Sequence, residues 1–75
     1  MDEELITNIS DSIFNYIENK LNHDKTKTII EFGSGGGELA IMLQSSGYDI
    51  IATDVVEDFL SEQNRIGIKK VVKYN

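Results

Sequence analysis

"TIIEFGSGGGELAIMLQSSGYDIIATD", residues 28–54, holds two short apolar runs separated by four glycines and an amphipathic stretch. TIIEF (28–32) is β-branched and bounded by polar residues and glycines, so it reads as a buried strand. In ELAIMLQSS (38–46), Leu39, Met42 and Leu43 recur at helical spacing, and Gly47 stands where a helix C-cap glycine belongs. YDIIATD (48–54) reads as a second strand, ending on an acid. The stretch is thus a strand, a glycine loop, a helix and a strand, a unit that sets its two strands parallel.

The flanks extend the pattern. Leu5, Ile6, Ile9, Ile13, Tyr16, Ile17 and Leu21 follow steps of three and four, which predicts an N-terminal helix over 3–21. Asp2, Glu3 and Glu4 stand at its positive end and Lys20 near its negative end, and NHDKTK (22–27) is a polar connection. Downstream, VEDFLSEQNR (56–65) predicts a short helix with Phe59, Leu60 and Gln63 facing inward, ended by Gly67. IKKVVKY (68–74) predicts a third strand. The order helix-β-α-β-α-β implies an α/β fold: a partial doubly wound, Rossmann-like parallel sheet of order 3-2-1 with an N-terminal helix and helices on both faces. One partial domain spans 1–75, its βαβαβ part covering 28–74. Strand 1, central in a complete fold of this kind, is an edge here, and an apolar edge invites a homodimer or a partner chain.

With 75 residues one domain is the natural count, and the core is small. There is no cysteine, and His23 is the single histidine, which leaves no basis for a disulfide, a thiolate metal site or a histidine cluster. Thirteen acids against seven bases give a net charge of −6, which argues against binding a nucleic-acid backbone. The charge is uneven: residues 1–24 hold six acids and only Lys20, whereas 65–75 hold Arg65, Lys69, Lys70 and Lys73 and no acid. No apolar run approaches the roughly 18 residues that span a bilayer, and MDEELI is acidic where a secretion signal is positive. A cytoplasmic protein without membrane contact is expected.

Four glycines in five positions, Gly33, Gly35, Gly36 and Gly37, need a reason, because glycine loses the most backbone freedom on folding. A flexible linker does not fit between a strand and an amphipathic helix, and a structural βα turn needs fewer glycines. A ligand loop uses them to bring the backbone close to a bound molecule at the helix N-terminus. Asp54 follows Gly35 by 19 residues, the position from which an acid accepts hydrogen bonds from a ribose diol. It also reads as a strand-end or helix-capping acid. Glu38 stands where the dinucleotide fingerprint needs a small residue, and no Gly-Lys-Ser/Thr follows the glycines, which excludes the P-loop. Glu31 adds a second carboxylate before the loop, and two carboxylates there suit a ligand with positive charge.

The spacing E-x-G-x-G-x-G over Glu31 to Gly37, with Asp54 at the end of the second strand, resembles the first motif of class I S-adenosylmethionine (SAM)-dependent methyltransferases. The resemblance covers about residues 28–75 and concerns the N-terminal, cofactor-binding half of that family's domain. It implies that Glu31 holds the methionyl amino group and that Gly33, Ser34, Gly35 and Gly37 form a backbone wall against methionine and ribose. It further implies that Asp54 takes the ribose hydroxyls, that Val55 packs on the adenine, and that Asn75 stands near the adenine amino group. The family's acceptor-shaping segments lie beyond strand 4, so no catalytic residue, metal or methyl acceptor is assigned. The expectation is a truncated part of a larger methyltransferase-like protein that does not turn over by itself. A non-catalytic Rossmann-like binding or assembly module is the rival reading.

Overall fold

The computed structural model describes residues 3–74, with side chains from Asp11 onward. The expectations for the side chains of Leu5, Ile6 and Ile9, for the charges of Asp2, Glu3 and Glu4, and for Asn75 lie outside the described residues. The element order is α1 (Glu3–Lys20), β1 (Thr28–Phe32), α2 (Glu38–Ser45), β2 (Asp49–Asp54), α3 (Glu57–Arg65) and β3 (Val71–Lys73). The three strands form one parallel sheet, β1-β2-β3, with β2 between its neighbours. The chain is a small α/β fold.

Register decides which side chains share a face. Ile29 pairs with Ile50, Glu31 with Ala52, and Ala52 with Val71, so these residues project to one side. That side carries the core: Ala40, Leu43, Tyr48, Ile50, Ala52 and Ile68, joined by Phe14, Ile17 and Leu21 from α1 and by Ile66. The helices gather there, and the expectation of helices on both faces does not hold among the described residues. The reason is topological. Two right-handed crossovers that advance in the same direction across a sheet carry their helices to the same face. The other face is left open. Ile30 is 53% exposed, Phe32 69% and Val72 50%. TIIEF is therefore a half-covered edge strand rather than a buried one, and Phe32 meets Tyr74 edge to face at 5.3 Å between ring centres.

All three helices end in the same way. The residue after the C-cap takes a left-handed conformation: Asn22 (φ 52°), Gly47 (φ 100°) and Gly67 (φ 100°). Its N–H and the next one bond back to the last turn, Gly47 to Gln44 and Tyr48 to Leu43 after α2, Gly67 to Asn64 and Ile68 to Gln63 after α3. After α1, Asn22 bonds to Asn19 and His23 to Glu18 in the same pattern. These are Schellman closures, with asparagine serving once where glycine is usual.

Three expected inward positions are corrected. Ile13 and Tyr16 are exposed, Tyr16 lying under the Lys20 ammonium, because α1 turns Phe14, Ile17 and Leu21 to the core. Phe59 is 43% exposed, whereas Leu60 and Gln63 are buried as expected. The third strand is three residues long instead of seven, since Ile68 turns into the core before the ladder starts.

Candidate functional site

The glycine loop joins β1 to α2 at the C-terminal end of the sheet, beside the end of β2. Short polar contacts stitch it to both strands. Ser34 N–H donates to the Thr53 carbonyl (2.9 Å), and Ser34 Oγ donates to the Glu31 carbonyl (3.1 Å) while accepting from Thr53 N–H (3.2 Å). Thr53 Oγ1 also donates to the Glu31 carbonyl, at 2.6 Å. These bonds continue the β1–β2 pairing past the last ladder pair, Phe32 with Thr53.

Asp54 is buried, and both of its carboxylate oxygens accept from backbone N–H groups. Its Oδ2 accepts from Gly35 N–H (2.9 Å), and its Oδ1 from Val55 N–H (2.7 Å) and Val56 N–H (3.1 Å). The Gly35 hydrogen bond, followed by those of Val56 and Val55, holds its carboxyl below the usual aspartate range. The carboxylate thus does two jobs: it ties the glycine loop to β2, and it satisfies donors ahead of α3, whose N-cap Val56 has no side-chain cap of its own. Of the two roles expected for Asp54, ribose acceptor and strand-end or capping acid, these donors are partners of the second.

The glycines are held for different reasons. Gly33 (φ 71°) and Gly35 (φ 57°) have left-handed backbones, and a Cβ on either would enter open space. Gly37 (φ 89°) is buried, and a Cβ there would lie 2.6 Å from Ile68 Cδ1 and 3.2 Å from Gln63 Cγ. Its hydrogen is a packing requirement of the α3–β3 connection. Gln63, fully buried, reaches across from α3 to donate from Nε2 to the Gly35 carbonyl at 2.7 Å. An apolar-spacing argument marks Gln63 as inward but gives no sign of this contact.

The seven expected site residues therefore divide. Ser34, Gly35, Gly37 and Asp54 hold the loop in shape. Glu31, Gly33 and Val55 retain unused surface or atoms: Gly33 and Val55 are exposed, and Glu31 Oε1 is buried with no hydrogen-bond partner among the described residues. His23 lies far from this loop in sequence, exposed in the turn after α1 with Nδ1 on Glu18.

A cleft of about 250 Å³ opens at the opposite, N-terminal end of the strands. Lys25, Tyr48, Asp49, Lys69 and Lys70 line it, but Lys70 pairs with Asp49, and Lys25 pairs with Glu18 and lies over the Tyr48 ring. Among the described residues no group of three or more acids and histidines is placed to hold a metal ion, and no helix is long and apolar enough to cross a membrane. No protein-family model matches the chain, and no match is found among curated proteins.

Proposed function

We propose that this chain is the cofactor-binding part of a SAM-dependent methyltransferase-like protein, with the glycine loop as the binding element. The observation that carries the reading is Glu31 Oε1, directly before the loop, a buried acceptor with no donor among the described residues. A buried carboxylate oxygen left unpaired is costly, and an ammonium group meets its need with both charge and hydrogen bond. The internal use of Asp54 supports the same choice. Its negative charge already satisfies Gly35 N–H, the kind of loop donor that a phosphate would otherwise take, so a pyrophosphate meets a carboxylate instead of a free cradle.

When bound, SAM supplies an electrophilic methyl group on a sulfonium. The chain's own residues would then bind and orient. Glu31 accepts from the amino group, and the open space over Gly33 and Gly35 admits the ligand to the backbone. Asp54 Oδ2, with a single hydrogen bond, keeps acceptor capacity for a ribose hydroxyl. Val55 offers exposed apolar surface to the adenine. No residue is assigned to methyl transfer itself, so the acceptor stays open.

Titration calorimetry with SAM, S-adenosylhomocysteine and NAD tests this. SAM and S-adenosylhomocysteine should bind wild type and weaken at least tenfold in Glu31→Gln, one unit charge-assisted contact being worth about 1.5–3 kcal/mol. Binding of NAD alone would refute the proposal.

A second reading, a non-catalytic assembly module, draws on the uncovered apolar side of the sheet and the β1 edge, since parallel sheets are ordinarily covered on both faces. Under this reading a second copy or a partner chain adds at β1. Sedimentation over a concentration series decides it: a monomer throughout, unchanged by Ile30→Lys, counts against self-assembly.

A further inference from the structure

We infer that Gln63 is a positioning residue of the glycine loop, setting the loop's shape from α3 without contacting the ligand. The inference rests on the loop being the binding element proposed above, and it concerns a residue outside the seven. Gly35 is held at both of its backbone polar groups. Asp54 takes its N–H at 2.9 Å from the β2 side, and Gln63 Nε2 donates to its carbonyl at 2.7 Å from the α3 side. Gly35 has a left-handed backbone and open space around it, so no packing of its own fixes its orientation. The two side chains supply that.

Gln63 is suited to this by its placement. It is 0% exposed, its Cγ closes on Gly37, and its carbonyl accepts Ile68 N–H in the closure of α3. The backbone that carries the amide is therefore fixed, and so is the reach of Nε2. A buried glutamine is costly unless its groups are paired, and here Oε1 has no partner among the described residues while Nε2 spends its hydrogen bond on the loop. An apolar residue of similar volume would fill the site without that cost, so packing alone does not explain an amide at this position. The loop contact does. In effect α3, separated from the loop by α2 and β2, is coupled to the geometry presented by residues 33–37.

Amide hydrogen exchange tests the inference without a ligand. Gln63→Met fills the same volume without a donor, and Gln63→Asn keeps an amide one methylene short of the Gly35 carbonyl. Both variants should speed exchange of the Gly35 and Gly37 amides about five- to tenfold, the loss expected for one hydrogen bond, relative to Ala52 at the centre of the sheet. Equal acceleration at Ala52, including loss of its protection in both variants, would make Gln63 a core residue and overturn the inference. Unchanged Gly35 and Gly37 exchange would overturn it as well. In parallel, S-adenosylhomocysteine should bind both variants about fivefold more weakly than wild type while their β2 exchange is unchanged. Failure of wild type to bind it refutes the cofactor reading, and the exchange measurement still decides the role of Gln63.

Discussion

Two carboxylates, at opposite ends of the sheet, gather three donors each, and they do so by different means. Asp54, at the C-terminal end, takes the N–H groups of Gly35, Val55 and Val56. Glu18, toward the N-terminal end, collects on the single oxygen Oε2 the His23 ring nitrogen (2.9 Å), Lys25 Nζ (3.2 Å) and Tyr48 OH (3.1 Å). Backbone donors cannot swing away to water, so Asp54 works as a structural pin between loop, strand and helix. The donors of Glu18 are side chains, and the two exposed ones, His23 and Lys25, can be solvated elsewhere at little cost. The end that holds its polar groups by backbone is the one with a glycine loop to keep in shape. The other end is joined by exchangeable surface contacts.

The largest test of this contrast is to remove each carboxylate. Asp54→Ala strands three backbone donors and should lower Tm by about 8 °C or more, whereas Glu18→Gln should lower it by less than about 4 °C. Calorimetric or circular-dichroism melts measure both. Equal losses would mean that donor type is irrelevant here.

Acid titration separates them more finely. Both carboxyls are held below their ordinary values, Glu18 first by the His23 contact and then by Lys25 and Tyr48, Asp54 first by Gly35 N–H. A depressed folded value means that each contributes stability above its unfolded pKa and loses it as pH falls through the folded one. Tm should therefore be flat down to about pH 5 and fall below about pH 4. In Asp54→Asn the slope of that acid limb should be shallower, as read from melts between pH 2 and 6.

Salt gives the smallest effect. At 1 M NaCl the screening length is about 3 Å, so the Glu18–Lys25 pair weakens while the Asp54 contacts persist. Wild type should lose no more than about 2 °C from this source, and Glu18→Gln should lose none.

Much of this architecture is legible in the residues. The strand–glycine–helix–strand order places the loop, and Gly47 and Gly67 mark the ends of α2 and α3. The 19-residue interval from Gly35 to Asp54 is spanned by a hydrogen bond. What spacing does not reveal is which side of a broad apolar stripe faces inward, as Ile13, Tyr16 and Phe59 illustrate. Nor does it reveal that successive crossovers leave Ile30 and Phe32 uncovered, because that depends on the direction of winding. Gln63 escapes for another reason: its role is a polar contact between elements 28 residues apart, and no local pattern encodes it.

The bare face of the sheet has a colloidal consequence. Ile30, Phe32 and Val72 carry no charge, while the chain as a whole carries −6. Two copies of the chain therefore repel at long range, and only contact between these faces would bury their apolar surface. At 0.1 M ionic strength the repulsion is confined to about 10 Å, and at 0.01 M it reaches about 30 Å. Ionic strength therefore sets the distance at which two copies of this chain begin to repel.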